Sequence, residues 1–313
     1  MQNKYLSFLF GLIFLASCSS KEVYMFSSFH EPANEGLRML YSYDGYKWTD
    51  LNQTFLQPEV GASKLMRDPS VIKGPDGTFH LVWTTGWRGD LGFGYAHSKD
   101  LVHWSAQKFI PVMQHEPTTV NVWAPELFYD AATKKFIIIW ASTIPERFPR
   151  GIEEEKNNHR MYYTTTSDFE TFSDTKLFLD PGFSVIDAVI VQQEKDKYAL
   201  VLKDNTRPNR NLKMAYGTSA LGPYTGVTEP FTGNFIEGPS VVKVKDEWLI
   251  YFDVYEKKIY GAMKTKDFKT FEDITQQVQV PAGHKHGTIF KASPKVLRKV
   301  KKEAVLKKGI GPN

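Results

Sequence analysis

One local pattern constrains this chain more than any other. A strand-like run ending in Asp, three residues, then an aromatic recurs as Asp44…Trp48, Asp100…Trp104, Asp168…Phe172 and Asp267…Phe271. The intervals are 56, 68 and 99 residues, and the last is long enough for two units. Met214–Tyr224 supplies the missing one, with Leu221-Gly222-Pro223-Tyr224 in place of the Asp-to-aromatic turn. A hairpin pattern precedes the later units: Pro69 to Trp83, Pro125 to Trp140, Asp187 to Leu202 and Glu237 to Phe252. Each is a pair of short runs rich in Val, Ile, Phe and Tyr, bounded by turn formers, as antiparallel strands require. Five four-stranded units with a period of about fifty residues predict an all-β fold, a five-bladed β-propeller.

The two ends complement each other. Tyr24–Phe29 and Leu37–Trp48 match the second and third strands of the later units but lack an innermost strand, whereas His286–Phe290 reads as an innermost strand without followers. Pairing them would complete the fifth blade and close the ring, leaving few open strand edges. This places the propeller at residues 23–293. Residues 294–313 form a basic, partly helical tail. Ser293 serves as cap, Pro294 suits the first turn, and Val296, Leu297, Val300 and Ala304 share one face.

Innermost strands of a propeller converge on its axis, so the residues that open them meet although distant in sequence. Here those openings read Arg67-Asp68-Pro69-Ser70, Trp123-Ala124-Pro125-Glu126, Val185-Ile186-Asp187-Ala188, Ile236-Glu237-Gly238-Pro239 and His284-Lys285-His286-Gly287. Four acids and a histidine pair directed at one small volume should raise at least one carboxyl pKa through desolvation and mutual repulsion, as general-acid catalysis requires. Each residue also has a plain structural explanation: Asp68 and Glu237 as bend formers, Glu126 as a local cap, His286 as a satisfied core histidine. Asp187 is harder to explain so, since Val185, Ile186, Val189, Ile190 and Val191 surround it. His284-x-His286 is a weak zinc pattern, and with no cysteine in the mature body and no further histidine motif zinc is not expected.

In these segments, over roughly residues 23 to 293, the sequence resembles glycoside hydrolase family 43, the five-bladed propellers that include arabinofuranosidases and xylosidases. The resemblance implies Asp68, in Asp-Pro, as general base; Asp187, in Ile-Asp, as the group that tunes and orients the acid; and Glu237, in Glu-Gly-Pro, as general acid. It sets Trp123 to Glu126 near the substrate and His286, in His-Gly, near the axis, where some members hold a calcium or sodium ion mostly through water. The implied reaction is hydrolysis with inversion and needs no cofactor. Trp87 and Trp123 are candidates to stack on a sugar or to fill the core, and Arg210 to hydrogen-bond sugar hydroxyls or to lie on a surface loop. The loops Gly86 to Asp90 and Pro145 to Asn158 should shape specificity. The substrate expected from the family is a plant-type oligosaccharide or polysaccharide cut at its termini, α-L-arabinofuranoside first, β-xyloside or galactan next. A non-catalytic carbohydrate-binding propeller is the main alternative.

Residues 1–17 read as a signal peptide, with Lys4 before an apolar stretch from Leu6 to Leu15 that is short for a bilayer span. Leu15-Ala16-Ser17-Cys18 resembles a bacterial lipobox, which implies a lipid on Cys18, a tether over residues 18–22 and a protein anchored in the cell envelope. Cys18 is the only cysteine, so the body needs no disulfide. Residues 291–313 hold eight Lys or Arg against Glu303 alone, while the rest of the mature chain is net acidic. That distribution argues against a nucleic-acid partner. The chain is expected to act as a monomer.

Overall fold

The computed structural model describes residues 22–309. The signal peptide and Cys18 lie outside the described residues. Blade 1 contains β1 (Val23–Ser28), β2 (Leu37–Ser42) and β3 (Thr49–Leu56). Blade 2 follows as β4 (Arg67–Lys73), β5 (Phe79–Thr84), β6 (Phe93–Ser98) and β7 (Lys108–Ile110), and blade 3 as β8 (Trp123–Asp130), β9 (Lys135–Ser142), β10 (Arg160–Thr166) and β11 (Lys176–Leu179). Blade 4 has β12 (Val185–Glu194), β13 (Lys197–Asp204) and β14 (Asn211–Gly217); blade 5 has β15 (Ile236–Val244), β16 (Glu247–Val254), β17 (Ile259–Thr265) and β18 (Glu272–Asp273). The last strand, β19 (Ile289–Ala292), pairs antiparallel with β1 and becomes the innermost strand of blade 1. The fold is the five-bladed propeller that the repeat predicts, closed by its two ends.

The repeated Asp has a local job. In each of its four occurrences the Asp Oδ1 accepts the amide N–H groups two and three residues on, as with Glu170 and Thr171 at Asp168. The hydroxyl two residues before it (Ser42, Ser98, Thr166 or Thr265) accepts the N–H of the residue after it, at 2.9 Å every time. That next residue is left-handed: Gly45, Leu101, Phe169 and Phe268, with φ from 57° to 79°. The side chain thus satisfies amides that a tight turn strips from the ladder, and the turn drives Leu101, Phe169 and Phe268 into the core. In blade 4, which lacks the Asp, the outermost strand shrinks to a single bridge between Tyr216 and Thr225.

The strands are buried on both faces, and period-2 alternation sends their side chains into two different cores. On β9, Ile137 and Ile139 pack toward blade 4, and Ile138 and Trp140 toward blade 2. Five apolar clusters result among the described residues, one between each pair of neighbouring blades. The cluster between blades 5 and 1, which joins Tyr251 and Tyr260 to Phe26 and Trp48, makes closure a matter of packing as well as pairing. The helix α1 (Pro294–Gly309) buries Leu297, Val300 and Ala304 in the core between blades 1 and 2. The tail is therefore docked on the propeller along its apolar face, and Ser293 Oγ accepts the Val296 N–H at its start.

Candidate active site

Four of the five innermost strands share one distortion at the axis. Arg67 to Ser70, Trp123 to Glu126, Ile186 to Val189 and Glu237 to Ser240 each span three steps opposite two on the neighbouring strand. The extra residue makes a bulge that re-aims the flanking side chains. Its second residue is left-handed every time: Asp68 (φ 50°), Ala124 (47°), Asp187 (51°) and Gly238 (61°). Asp68 and Asp187 are thus true equivalents on blades 2 and 4. Glu237 stands one residue before the bulge position, and Glu126 two residues after it.

That offset sorts the acids. A cavity of about 260 Å³ at the axis is lined by Asp68, Asp187, Glu237 and His286, with Trp87, Trp123 and Arg210 around them. Glu126 is not part of this lining. Glu126 accepts a hydrogen bond from the Thr288 hydroxyl (3.1 Å). Burial pushes its carboxyl up to about 7.

Asp68 accepts a hydrogen bond from Thr84 Oγ1 (2.9 Å) and lies 3.3 Å from His286 Nδ1. Burial works to raise its pKa, but the His286 hydrogen bond and charge, Arg67 and Thr84 together carry it below the ordinary carboxylate range. His286 responds in the opposite sense. Burial disfavours its charge, yet the Asp187 and Asp68 carboxylates outweigh that and raise it to about 9.

Asp187 reaches blade 5, where its Oδ2 accepts the Gly238 N–H at 3.1 Å, one residue after Glu237. Burial is the chief reason its carboxyl is raised. Gly238 is required here twice over. Its φ is left-handed, and an added Cβ would sit 2.5 Å from His286 Cγ. The Glu-Gly-Pro segment therefore clasps Asp187 through its amide and supports the His286 ring on its bare α-carbon.

Glu237 is held by a residue that sequence reasoning missed. Lys203, on β13 opposite Ile186, places Nζ 2.9 Å from Glu237 Oε2 with its own side chain 3% exposed. Burial would raise the Glu237 carboxyl, but the Lys203 charge and hydrogen bond leave it lowered. The signal was present in Tyr198-Ala-Leu-Val-Leu-Lys203, a lone cation ending an apolar strand. Arg67, Asn157, Ile186 and Asn205 also line the cavity, Asn205 Nδ2 donating to Asn157 Oδ1 at 3.0 Å.

At the rim Trp87 is 53% exposed, with the Arg67 guanidinium 4.1 Å from its ring centre. The two indoles meet edge to face at 5.3 Å, Trp123 Nε1–H donates to the Trp87 carbonyl, and His159 stacks on Trp123. Both tryptophans form cavity wall, and Arg210 lies in the lining with its Nε free of any hydrogen bond. The loops 86–90 and 145–158 each deliver a wall residue, Trp87 and Asn157. The His286 ring packs on Gly238 and turns to Asp68. Among the described residues no set of three ligand atoms converges there.

A closed propeller whose axial cavity gathers three carboxylates, two of them on equivalent bulges, amid indole, amide and guanidinium groups defines a carbohydrate-cleaving propeller enzyme. The chain belongs to the glycosyl hydrolase 43-related family, described as "Probable glycosyl hydrolase domain", whose model matches residues 20–295. It is, on that membership, a glycoside hydrolase. Similar solved structures include a thermostable family-43 glycoside hydrolase, at 15% identity over 73% of this chain and 80% of that one, with a TM-score of 0.57. Others are an α-L-arabinofuranosidase from Lactobacillus brevis (17%, 66% and 72%, 0.50) and a family-43 β-1,3-galactosidase with galactodeoxynojirimycin (12%, 67% and 75%, 0.52). At these identities the likeness is one of fold. No curated protein matches the sequence.

Proposed function

We propose that the chain removes a terminal sugar from a plant-type oligosaccharide or polysaccharide with inversion, α-L-arabinofuranose being the preferred unit. The observation that carries this reading is the clasp of Asp187 on the Gly238 amide, because it ties the acid-bearing strand to the strand equivalent to the one that bears the base. In the reaction Asp68, ionised and oriented by Thr84 and His286, takes a proton from water as that water attacks the anomeric carbon. Glu237 delivers a proton to the departing oxygen on the opposite face. Asp187 acts as a positioning residue through Gly238, and its own raised pKa opposes full ionisation of the acid pair.

The cavity volume supports action at a chain end. At about 260 Å³ it falls below the roughly 300–1,000 Å³ typical of sites for drug-sized ligands, a size that suits one enclosed sugar unit. Arg210, Asn157 and Asn205 supply donors for its hydroxyls, and Trp87 supplies an exposed apolar rim for the next unit. A panel of aryl glycosides with product anomers followed by NMR tests the proposal. Release of arabinose as the inverted anomer supports it, and turnover of none of the panel, or retention, counts against it. The same reading places the enzyme on an envelope surface through lipidated Cys18. Fractionation of Cys18→Ala should then release it to the soluble phase.

A further inference from the structure

Outside the axial cavity, blade 1 gathers a second chemical cluster. His30 follows β1, Asp50 lies on β3 and His284 precedes β19, and one ligand atom from each lies within 4.8 Å of the others. His284 Nε2 is 3.3 Å from Asp50 Oδ2, and the His30 and His284 rings meet edge to face at 4.5 Å. The His284 side chain is fully buried. Both His30 Nε2 and His284 Nε2 are buried without a hydrogen-bond partner, the Asp50 approach lacking the alignment of one. Two buried, unsatisfied imidazole nitrogens facing a carboxylate are costly as they stand.

The surroundings are those of a ligand set. His284 Nδ1 lies 2.6 Å from Ser28 Oγ, a contact that fixes the ring with Nε2 toward Asp50. Asp50 Oδ1 accepts the Asn52 amide, so its other oxygen is available. Arg38, whose charge acts on both His30 and Asp50, donates to Glu35 and is partly neutralised by it. A cavity of about 450 Å³ borders both histidine residues beside the cluster.

We propose that His30, Asp50 and His284 bind a divalent transition-metal ion of the zinc type, with water as the remaining ligand. Two imidazoles and one carboxylate match the donor preference of Zn²⁺, whereas calcium and magnesium would call for an all-oxygen site. From sequence alone, His284-x-His286 carries no expectation of zinc; the two rings lie at different sites, and the partner of His284 in this cluster is His30. The position gives the ion a purpose. It joins the chain on either side of β2 to the segment that leads into β19, so it staples the ring where its two ends meet. Because the ligands come from parts of the chain far apart in sequence, the ion should bind the closed ring and not the unfolded chain.

Zinc alone, titrated by calorimetry into the metal-stripped full-length mature protein, tests the site. One Zn²⁺ per chain should bind and raise Tm by several degrees. His30→Ala and Asp50→Asn, which leave the buried His284 in place, should each weaken binding at least tenfold and abolish the Tm rise. His286→Ala should keep both. Metal removal should lower Tm without changing kcat. Absence of binding by the folded wild-type protein, or unchanged binding by His30→Ala and Asp50→Asn, would overturn the proposal; loss of binding in His286→Ala alone would move the ion to the axis.

Discussion

Lys203 Nζ sits 2.9 Å from Glu237 Oε2, a buried cation from blade 4 holding the carboxylate of blade 5. The contact sets the charge of the group assigned as acid. With Lys203 in place Glu237 is biased toward its ionised form, so the proton it delivers is won against the ammonium. Replacing the cation with an apolar side chain of similar length, Lys203→Met, should raise the Glu237 pKa. The basic limb of the kcat/KM profile should then move to higher pH. Glu237 is 35% exposed, so water can take over part of its solvation and the stability cost should fall below the ~3–5 kcal/mol of breaking a fully buried pair. A pH–rate profile and a denaturant midpoint check both parts.

His286 and Asp68 couple catalysis to stability in a defined pH window. The folded pKa of His286, about 9, lies above its unfolded value near 6.5, so the stabilisation is complete below about pH 6.5 and fades as pH rises toward 9. Asp68→Asn removes one of the carboxylates that raise it. The variant should lose at least ~10²-fold in turnover, as expected for loss of a general base, and should show a flatter fall in stability from pH 6.5 to 9. Urea midpoints across that range, set beside wild-type values, measure it.

Glu126 gives a separate window of the same sign at lower pH. Its carboxyl is raised to about 7 from 4.5, so the folded state binds the proton more tightly and stability falls as pH rises from about 4.5 to 7. Glu126→Gln keeps the shape without the charge. At pH 8 it should be more stable than the wild type, by at most about 3 kcal/mol on the 1.36 kcal/mol per pH unit equivalence. Thermal melts at pH 5 and pH 8 should show the gain only at the higher pH.

Ring closure rests on a tight backbone approach. A Cβ on Gly287 would lie 1.9 Å from the Ser27 carbonyl oxygen, beside the Ser27 N–H to Thr288 carbonyl bond that starts the closing ladder. Gly287→Ala should therefore push β19 from β1 and destabilise the fold by several kcal/mol, and truncation before His286 should prevent stable folding. Chemical denaturation checks the first and soluble yield with circular dichroism the second. Truncation after Lys302 removes Ala304 from the blade 1–2 core and should cost less than either.

The propeller was legible in the sequence because its repeat is a local device. Asp168 and its counterparts satisfy turn amides within three residues, so the pattern survives in one dimension. The three catalytic candidates were legible for a related reason, as polar interruptions of apolar strands. What stayed hidden depends on register and on neighbouring strands. Nothing in Trp123-Ala-Pro-Glu126 tells that the bulge carries Glu126 past the cavity to Thr288. Lys203 reaches Glu237 only across two blades, and His30 finds His284 only once the ring closes.

The central claim is that Asp68 and Glu237 divide the work of base and acid. Folded Glu237→Gln, assayed on natural-type glycosides and on aryl glycosides with acidic phenols, tests it most directly. The account predicts a loss of about 10²–10⁴-fold on the former and a much smaller loss on the latter, whose phenols depart without a proton, while Asp68→Asn fails on both. Equal losses for Glu237→Gln on both substrates, or near-normal hydrolysis by folded Asp68→Asn, would contradict it.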